Sequence, residues 1–585
     1  MTDWSSKTVE QLKIELRSRG LGVSGNKSIL VERLSKTEMK SEVLQAEITS
    51  YDKKSTNGSS GGGPSKLFNL KSNQVPAKAI FLASLMILGT AGGGLIFGED
   101  IAKWAKGSPE YVIIDFDSNQ SRAYAQGLVA LGDPQWGGRL SGTVEEENTA
   151  QSIKTNFSNN GLPSILDEFE VPLYYMGNQF DLMICQPGNL GGIFGGPTPC
   201  SLADIDRDEA EFIHTQDYVV QGYSGSVNIP ASSNVEVFDL GMGNETEDWA
   251  SAGNGIGVVW LRDGLDGGPG TESNTVLMLR AQSNSLRGLI TVNSRQNCDD
   301  LVQGDCVPYS KSLDITQFSE KPYNIGFVMV SRSVGEAIVE QVVNGDGMLQ
   351  FQVDVDNQQE GYIHVPCGII EGSSEDLIII GAHHDTVYNG QGAIDNTAGT
   401  ATVMEMARQM AIVESELGEP RMTIYFCTWG GEEEGLWGSK EWVKKYQSDL
   451  QENLRLYINL DMNHVDLERN SGLTFQGNSK SDVSHIEGIV AKFSSKHPEL
   501  ANKYPINIRH LASEEMPYNS DHAPFVYEVY GGEGTDTEYG MAMLCYGSGS
   551  SEYHTYLDNM DRFNEESLSV SGMIYGSLVR HLAWN

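Results

Sequence analysis

Two histidines and several acidic residues in the last third of the chain have the types and spacing of metal ligands. The segment GAHHDT ends an apolar run, and strand alternation places His383 and Asp385 on one face and His384 on the other. A ligand histidine needs an acceptor for its second ring nitrogen, and Asp385 can orient His383 in this way. Asp395 follows in the Gly-rich segment GAIDNTAG, where one carboxylate can bridge two cations.

Further candidates follow two more apolar runs and a later motif. GGEEEGLWGS supplies Glu432, Glu433 and Glu434, three adjacent acids whose mutual repulsion a dication would relieve. INLDMN presents Asp461, and YHTYLD supplies His554. Two imidazoles and three carboxylates suit a pair of zinc ions. The predicted metal ligands are His383, Asp395, Glu433, Asp461 and His554.

The apolar runs that carry these residues predict the fold. DLIIIGAHHDT, RMTIYFCTWGG and LRLYINLDMN are typical of buried parallel strands, and helical stretches at 398–415 and 436–449 separate them. This alternation predicts an α/β domain with a mixed, largely parallel sheet flanked by helices. Such sheets place their sites at the carboxyl ends of strands. A single HxD motif or acidic run is usually structural. The specific evidence for a metal site is that these motifs occur in this order at the ends of successive strands.

The region before these strands predicts two further parts. GGRLSGT (137–143), followed by a helical pattern to Gly161, resembles the opening helix of the same domain. Residues 168–350 are rich in Gly-bounded apolar segments, which predict strands. Those segments are GNGIGVVWLRDG, TVLMLRAQ, RGLITVNS and NIGFVMVSRS.

Taken together, the motifs resemble peptidase family M28, the co-catalytic zinc aminopeptidases and glutamate carboxypeptidases. The resemblance covers 108–585 and is sharpest over 377–565, and the interrupting β-rich segment resembles a protease-associated (PA) domain. It implies a zinc exopeptidase core with a β-rich insert. The expected parts are the first part of the peptidase domain (108–167), the PA-like insert (168–350) and the zinc peptidase core (351–585).

The resemblance also implies a role for each ligand. His383 and Asp461 would hold one zinc, Glu433 and His554 the other, and Asp395 would bridge both. The implied cofactor is therefore two zinc ions per chain, acting on peptide substrates.

Within the acidic triplet, the resemblance makes Glu432 the general base and leaves Glu434 at a variable position. Asp385 is the second residue assigned to catalysis, through His383. The family pattern also implies a cis peptide between Asp395 and Asn396, and it makes Tyr518 a candidate oxyanion donor.

Several activities fit this core, and the sequence favours an aminopeptidase that removes N-terminal residues. A glutamate carboxypeptidase needs arginines for acidic groups, and only Arg469 and Arg509 lie near the motifs. The 31 residues after His554 leave no room for a long helical dimerisation domain. The alternatives are glutamate-carboxypeptidase-like or dipeptidase activity, and then a catalytically dead receptor or tether. Glutaminyl cyclases share the core but lack the insert. No specific substrate-binding residue is indicated.

The N-terminal segment differs from the rest in charge. Residues 1–78 carry 13 Lys and Arg against 8 Asp and Glu, and the remainder carries 27 against 71. The acidic body argues against nucleic acid as its ligand. Residues 1–40 resemble a SAP module, a helix–loop–helix that usually binds DNA, and 4–36 is either a DNA contact or a protein-docking helix pair. The residues that carry this resemblance are Leu12, Leu16, Gly20, Leu21, Gly25, Lys27, Leu30 and Leu34.

A flexible linker and a membrane anchor are expected next. Residues 41–78 include STNGSSGGGPS, and 79–97 contain no charged residue, which predicts a transmembrane signal anchor over 79–98. Lysines that precede this stretch place the N-terminus in the cytosol or nucleoplasm and the catalytic body in a lumenal or extracellular space.

The cysteines and glycosylation motifs agree with a body in an oxidising space. Cys298 with Cys306, and Cys185 with Cys200, are expected to form local disulfides. The other three cysteines are expected to be buried free thiols, and sequons provide candidate glycosylation sites. The expected thiols are Cys367, Cys427 and Cys545, and the sequons are at Asn119, Asn156 and Asn244.

Overall fold

The computed structural model describes most of the chain after residue 109. The described residues are 110–185, 212–262, 270–294, 298–302, 305–467, 472–529, 541–547 and 552–585, with single residues between 4 and 34. The chain divides into two compact units, Met1–Trp4 with Glu32–Tyr111, and Ser5–Val31 with Val112–Asn585. All helices and strands named below belong to the second unit. The predicted linker (41–78) and anchor (79–98) lie outside the described residues, and none of the described helices is long and apolar enough to cross a membrane.

Eight strands form the main sheet of the second unit. The three apolar runs that predicted parallel strands lie side by side in it, and residues such as Ile379 and Ile458 are fully buried because helices cover both faces. The strands are β1 (Ser164–Pro172), β14 (Glu360–Ile370), β15 (Leu377–His383), β16 (Thr423–Trp429), β17 (Leu454–Leu460), β18 (Leu473–Gly477), β19 (Ile506–His510) and β20 (Ala542–Tyr546).

The sheet is mixed, as predicted. Its order is β1-β14-β16-β15-β17-β20-β18-β19, and the central strands β16, β15, β17 and β20 are parallel. The antiparallel pairs are β1 with β14, β14 with β16 and β18 with β20. The carboxyl ends of β15, β16 and β17 therefore meet at one edge of the sheet.

Among the described residues, nine helices accompany this sheet, and α6, α1 and α12 pack against one another. The side chain of Asp117 caps α1 by accepting from the N–H groups of Asn119 and Gln120. The helices are α1 (Ser118–Val129), α2 (Val144–Asn159), α6 (Ala398–Leu417), α7 (Trp437–Lys445), α8 (Gln447–Asn453), α9 (Lys480–Lys496), α10 (Pro498–Lys503), α11 (His522–Tyr527) and α12 (Glu565–Trp584).

The insert lies between β1 and β14 and spans residues 173–359. One sheet, β4-β11-β8-β7-β6, is parallel apart from β4, and another has the order β3-β12-β5. Two-stranded pairs are β2 with β13 and β9 with β10. A core that includes Tyr218, Trp249 and Phe327 holds these layers together. Its relation to PA domains stays a prediction.

The elements of the insert are short. Its strands are β2 (Tyr175–Met176), β3 (Asp181–Cys185), β4 (Tyr218–Val220), β5 (Val227–Ile229), β6 (Val237–Asp239), β7 (Ile256–Trp260), β8 (Gly288–Val292), β9 (Cys298–Val302), β10 (Asp305–Cys306), β11 (Gly326–Val330), β12 (Met348–Val353) and β13 (Val355–Asp356). Its helices are α3 (Thr246–Ser251), α4 (Asn274–Ser283) and α5 (Arg332–Ile338).

One predicted strand of the insert is a helix. The segment TVLMLRAQ lies in α4, where the Ser273 hydroxyl accepts from the Val276 N–H and caps the first turn. Leu, Met, Arg, Ala and Gln are good helix formers, and this preference together with the cap outweighs the apolar run.

Two of the three expected free thiols form a disulfide instead. Cys367 on β14 and Cys427 on β16 are partners in the antiparallel register, and their sulfurs are bonded. The expectation was wrong because it did not pair these two strands as neighbours. Cys545 is a buried free thiol, as predicted. Cys185 and Cys306 are both disulfide-bonded, and the backbone of Cys306 lies opposite Cys298 in the β9–β10 pair.

Candidate metal centre and active site

The predicted metal ligands converge at the carboxyl edge of β15, β16 and β17. His383 is the last residue of β15, and Asp461 directly follows β17. The acidic loop (432–434) follows β16, and Asp395 lies just before α6 in a turn where its own backbone is not helical. Because the three strands are parallel neighbours, their ends bring these groups together.

His383 forms one half of the centre. Its Nε2 lies 3.2 Å from Asp395 Oδ1 and 3.8 Å from Asp461 Oδ1. One ligand atom from each of these three residues falls within 4.8 Å of the others. All three residues are buried.

His554 forms the other half. Its Nε2 lies 3.1 Å from Asp395 Oδ2 and 3.0 Å from Glu433 Oε2, and these three residues also group within 4.8 Å. The two oxygens of Asp395 therefore face different histidines. This is the arrangement of a carboxylate shared between two metal positions.

The hydrogen bonds of the two imidazoles assign their protons. Nδ1 of His383 lies 3.1 Å from the main-chain oxygen of Asp385, and Nδ1 of His554 lies 2.7 Å from the main-chain oxygen of Ser310. A carbonyl oxygen can only accept, so each Nδ1 donates. In each imidazole, Nε2 is therefore the nitrogen that remains available to a metal ion, and it faces the carboxylates.

Asp385 contacts His383 and has a second set of partners. Its carboxylate lies 3.6 Å from His383 Nδ1, farther than its main-chain oxygen. The carboxylate also accepts from the Ser141 hydroxyl at 2.9 Å and from the main-chain N–H groups of Glu432 and Glu433 at 3.3 and 3.2 Å. Burial alone would raise the pKa of the Asp385 carboxyl. The nearby His383 has the opposite effect, and the pKa lies below its usual value. Asp385 therefore holds the acidic loop in place.

The acidic loop lies inside the protein. Burial raises the pKa of Glu432 well above its usual value; His383 opposes this shift, and Glu433 adds to it. Burial also raises the pKa of Glu433, against the effect of His554. Glu434 is buried, and neither of its carboxylate oxygens has a hydrogen-bond partner among the described residues. A buried carboxyl with a raised pKa is suited to accept and return a proton.

His384 faces away from the centre, as strand alternation predicts. Its Nε2 lies 3.0 Å from Glu146 Oε1, and its Nδ1 contacts the Thr428 hydroxyl at 3.0 Å. Glu146 Oε2 also contacts His364 Nδ1 at 2.9 Å. This buried network supports β15 from behind and does not reach the metal ligands.

Two residues that support Asp395 were not identified from the sequence. The Asp558 carboxylate accepts from the N–H groups of Ile394 at 2.8 Å and Asp395 at 3.0 Å, and the Arg139 guanidinium donates to the main-chain oxygen of His384 at 3.0 Å and to the Thr397 hydroxyl at 2.7 Å. Asp558 lies in the segment YHTYLD that supplied His554, and Arg139 lies in GGRLSGT, but neither residue was assigned to the site from its motif.

The peptide bond after Asp395 is cis, as the family pattern implied. The side chain of its partner Asn396 donates to the main-chain oxygen of Leu460 at 2.9 Å and accepts from the Met462 N–H at 3.1 Å. Asn396 therefore ties this turn to the end of β17 beside Asp461.

Two tyrosines lie near the centre. The Tyr518 hydroxyl donates to Glu528 at 2.8 Å. The ring of Tyr553, which the sequence did not single out, stacks on His554 with 3.7 Å between centroids. Burial raises the pKa of Tyr553 well above its usual value, and the charges of Asp395 and Glu433 add to this, so its hydroxyl stays protonated.

A cavity of about 730 Å³ opens beside the metal ligands. Glu432, Glu433 and His554 line one side, and the start of α4 and residues 311–317 of the insert line the other. Lys440 and Lys311 supply positive charge to its wall. The cavity has room for a few residues of a peptide rather than for a folded chain.

The donor set fits zinc. Imidazole nitrogens and carboxylate oxygens are the ligands zinc takes, and Glu433 Oε1 has no hydrogen-bond partner among the described residues. Burial would lower the pKa of His554, yet Glu433 and Asp395 raise it to about 10. These carboxylates therefore favour a positive charge at Nε2, which a metal ion supplies.

Family comparisons agree with this geometry. Residues 367–579 match the model of Peptidase family M28, and residues 3–39 match the SAP domain. A probable glutamate carboxypeptidase VP8 of Zea mays is 29% identical over 229 residues, which cover 37% of this chain and 30% of that protein. An aminopeptidase of Pseudomonas aeruginosa is 27% identical over 239 residues, covering 38% of this chain and 42% of the relative. The chain thus spans less than half the length of these relatives.

Solved structures extend the likeness to the fold. BSAP, a zinc aminopeptidase from Bacillus subtilis, matches with a TM-score of 0.56 at 18% identity, covering 81% of this chain and 96% of that one. An aminopeptidase from Aneurinibacillus sp. strain AM-1 matches with a TM-score of 0.53 at 20% identity, covering 80% and 95%. Residues 367–579 therefore resemble peptidase family M28, and the fold around them is like that of these aminopeptidases.

Proposed function

We propose that the chain is a two-zinc exopeptidase that removes N-terminal residues from peptides. The observation that carries this proposal is Asp395, whose two carboxylate oxygens face His383 and His554 at 3.2 and 3.1 Å. His383 and Asp461 would hold one ion and His554 and Glu433 the other. When bound, zinc would acidify water and polarise the scissile carbonyl.

The protein's own groups supply the proton transfers. Glu432 takes a proton from the attacking water and later gives it to the leaving amine, so that one water and one peptide bond become a carboxylate and an amine. Asp385 fixes the main chain of Glu432 for this task. The Tyr553 hydroxyl is suited to donate to the oxygen that gains charge.

Cavity charge bears on the choice between aminopeptidase and glutamate carboxypeptidase. No arginine is among the described residues that line the cavity, which favours the aminopeptidase. Lys311 and Lys440 do line it, and either ammonium can pair with a carboxylate. Glutamate-carboxypeptidase-like or dipeptidase activity is therefore the second candidate.

A substrate panel separates these activities. Aminoacyl reporter substrates, N-acetylated peptides and dipeptides are compared with and without a chelator. The proposal expects hydrolysis of free-amine substrates that the chelator abolishes and zinc restores. Hydrolysis of N-blocked acidic peptides alone would favour the carboxypeptidase, and no hydrolysis of any substrate would favour a receptor or tether.

Glu432→Ala tests the proton-transfer role. The variant should keep both zinc ions, since Glu433 remains, and lose about 10²–10⁴-fold in kcat, the usual contribution of a general base. Metal content and kcat are measured together. Glu441→Ala is the matched control, because that carboxylate pairs with Lys444 on α7. Turnover near that of the control would overturn the assignment.

The location of the chain is a further proposal. We propose a single-pass membrane protein with the N-terminus in the cytosol or nucleoplasm and the catalytic body lumenal or extracellular. The disulfide of Cys367 and Cys427 supports an oxidising space for the body. Asn119 of the sequon NQS is exposed at the start of α1. Loss of mass on glycosidase treatment supports the lumenal placement, and a body accessible to cytosolic protease contradicts it.

DNA contact by the N-terminal module is proposed on the SAP match alone. Lys27, exposed in the structure, and other basic residues of this module would neutralise phosphates. A salt-dependent shift of duplex DNA by the full chain supports this contact. Binding that is unchanged after Lys27→Glu would contradict it.

A further inference from the structure

The insert contacts one metal ligand directly. The clamp segment, residues 309–311, runs beside His554 and forms two main-chain hydrogen bonds with it. The Ser310 oxygen accepts from His554 Nδ1 at 2.7 Å, and the Ser310 N–H donates to the His554 oxygen at 3.0 Å. His554 has a φ of 58°, which is unfavourable for a residue with a side chain and needs such support.

One buried side chain holds the clamp segment on both sides of Ser310. Gln221 Nε2 donates to the Tyr309 oxygen at 3.1 Å, and Gln221 Oε1 accepts from the Lys311 N–H at 3.1 Å. The same Oε1 accepts from Asn274 at the start of α4 at 2.9 Å. Gln221 is fully buried, so water cannot replace these bonds.

Gln221 is itself fixed to the sheet of the insert. Its N–H donates to the Phe327 oxygen on β11 at 3.0 Å, and the neighbouring Val220 oxygen accepts from the Ser310 hydroxyl at 3.1 Å. Hydrogen bonds thus connect β11 to Gln221 and Gln221 to the main chain of residues 309 and 311, and Ser310 between them binds the imidazole of His554. His383 has no such dependence, since its acceptor is the main-chain oxygen of Asp385.

We propose that Gln221 is a positioning residue through which the insert sets the affinity of the metal held by His554. This inference rests on the proposed pair of zinc ions. Groups that orient a ligand histidine through its second nitrogen usually change metal affinity by 10–100-fold when they are removed. The metal held by His383 lies outside this chain of bonds and keeps its affinity.

The test measures zinc affinity at both positions in the full chain. Gln221→Ala is titrated with zinc against a competing chelator, with Gln282→Ala as the control; Gln282 lies in the same insert and donates to Glu320 at an exposed position. We expect one of two zinc affinities to fall about 10–100-fold in Gln221→Ala and neither to change in the control. If Gln221→Ala does not fold, Gln221→Glu is used, which keeps the acceptor for Lys311 and loses the donor to Tyr309.

The outcomes separate the two proposals. Equal weakening of both zinc ions, or no weakening of either, overturns the role of Gln221, because a purely structural defect acts on both positions alike. Ser310→Ala removes the hydroxyl bond to Val220 but keeps both main-chain bonds to His554, so zinc affinity should fall less than in Gln221→Ala. A wild-type chain that binds no zinc would overturn the metal pair itself, and this inference with it.

Discussion

The two histidines of the centre are held by the same kind of bond from different parts of the molecule. His383 donates to the carbonyl of Asp385, two residues beyond the end of β15, whereas His554 donates to Ser310, 244 residues away in the insert. The first acceptor forms as soon as β15 forms. The second requires the insert to be folded and docked. One half of the centre is therefore a property of the sheet, and the other is a property of the whole unit.

The surroundings of the two halves follow the same division. On the His383 side, Ser141 and Asp385 link the start of the peptidase domain to the acidic loop. On the His554 side, Asn389 donates to the His554 oxygen at 3.1 Å, and its neighbour Tyr388 accepts from Val220 of the insert at 2.8 Å. A substitution on one side of the centre should therefore leave zinc binding on the other side intact enough to be measured.

The largest effect is expected from removing Asp395, the ligand that both metal positions share, because both halves of the centre should then lose their zinc. Asp395→Ala takes an oxygen from both metal positions, so zinc content should fall from two ions toward none. Activity should fall by about 10³-fold or more, because several kcal/mol of charge stabilisation goes with the metals. Elemental analysis and kinetics measure both effects. Asp376→Ala, which breaks a surface pair with Arg421, is the control. A variant that retains one tightly bound zinc would show that Asp395 is not shared.

A smaller effect is expected from Ser141→Ala on the His383 side. The Ser141 hydroxyl donates to Asp385 at 2.9 Å and accepts from the Gly431 N–H at 3.0 Å, and it is fully buried. Leaving these partners unpaired should cost about 1–3 kcal/mol of unfolding free energy and lower kcat by misplacing Glu432. Denaturant unfolding and kinetics measure the two changes.

Ser158→Ala is the matched control for that variant, since its exposed hydroxyl contacts only Ser164. The zinc held by His554 should keep its affinity in Ser141→Ala. Loss of that zinc before the one at His383 would contradict the division between the halves.

The smallest predicted effect is a loss of folding stability at acidic pH, which arises from His214 on the insert side. Burial lowers the pKa of His214 to about 4 from 6.5, and its Nε2 contacts the Tyr388 hydroxyl at 2.9 Å. The unfolded chain binds a proton at this histidine between these values and the folded chain does not. Stability is therefore present above about pH 6.5 and is lost as pH falls toward 4, by on the order of 1–2 kcal/mol at pH 5.

His214→Gln should flatten this dependence, because a neutral amide can accept from Tyr388 at every pH. Unfolding free energy is measured from pH 4 to 7 in variant and wild type. Burial in the core also lowers the pKa values of His464 and His522 to about 4, so stability still depends on pH in the variant. The quantity compared is therefore the slope of unfolding free energy against pH in the two proteins. If the unfolding free energy of variant and wild type falls equally with pH, His214 does not contribute to the loss of stability in acid.

The sequence predicted the parts of the site that follow strand ends. His383, Asp461 and the acidic loop each close an apolar run, so parallel pairing alone brings them together. Alternation also separated His383 from His384. The cis bond at Asp395 followed from the family pattern.

The sequence did not predict contacts that depend on strand neighbours or long-range docking. Cys367 and Cys427 bond because β14 and β16 are adjacent, a pairing that the runs themselves do not specify. Ser310 binds His554 through its main chain, and the Gln221 side chain binds the main chain of residues 309 and 311, so neither residue type gave a signal in the sequence. TVLMLRAQ was assigned to the wrong element, because its apolar run was given more weight than its cap at Ser273.

The pairing of Ser310 with His554 has a consequence for synthesis. A ribosome makes the insert long before it makes residue 554, so the strands and Gln221 can fold while the clamp segment still has no imidazole to hold. Hydrolysis must wait for the last of the ligands to emerge and dock. Under the proposed function, the metal position at His554 forms only after the C-terminal ligand has emerged and met the folded insert.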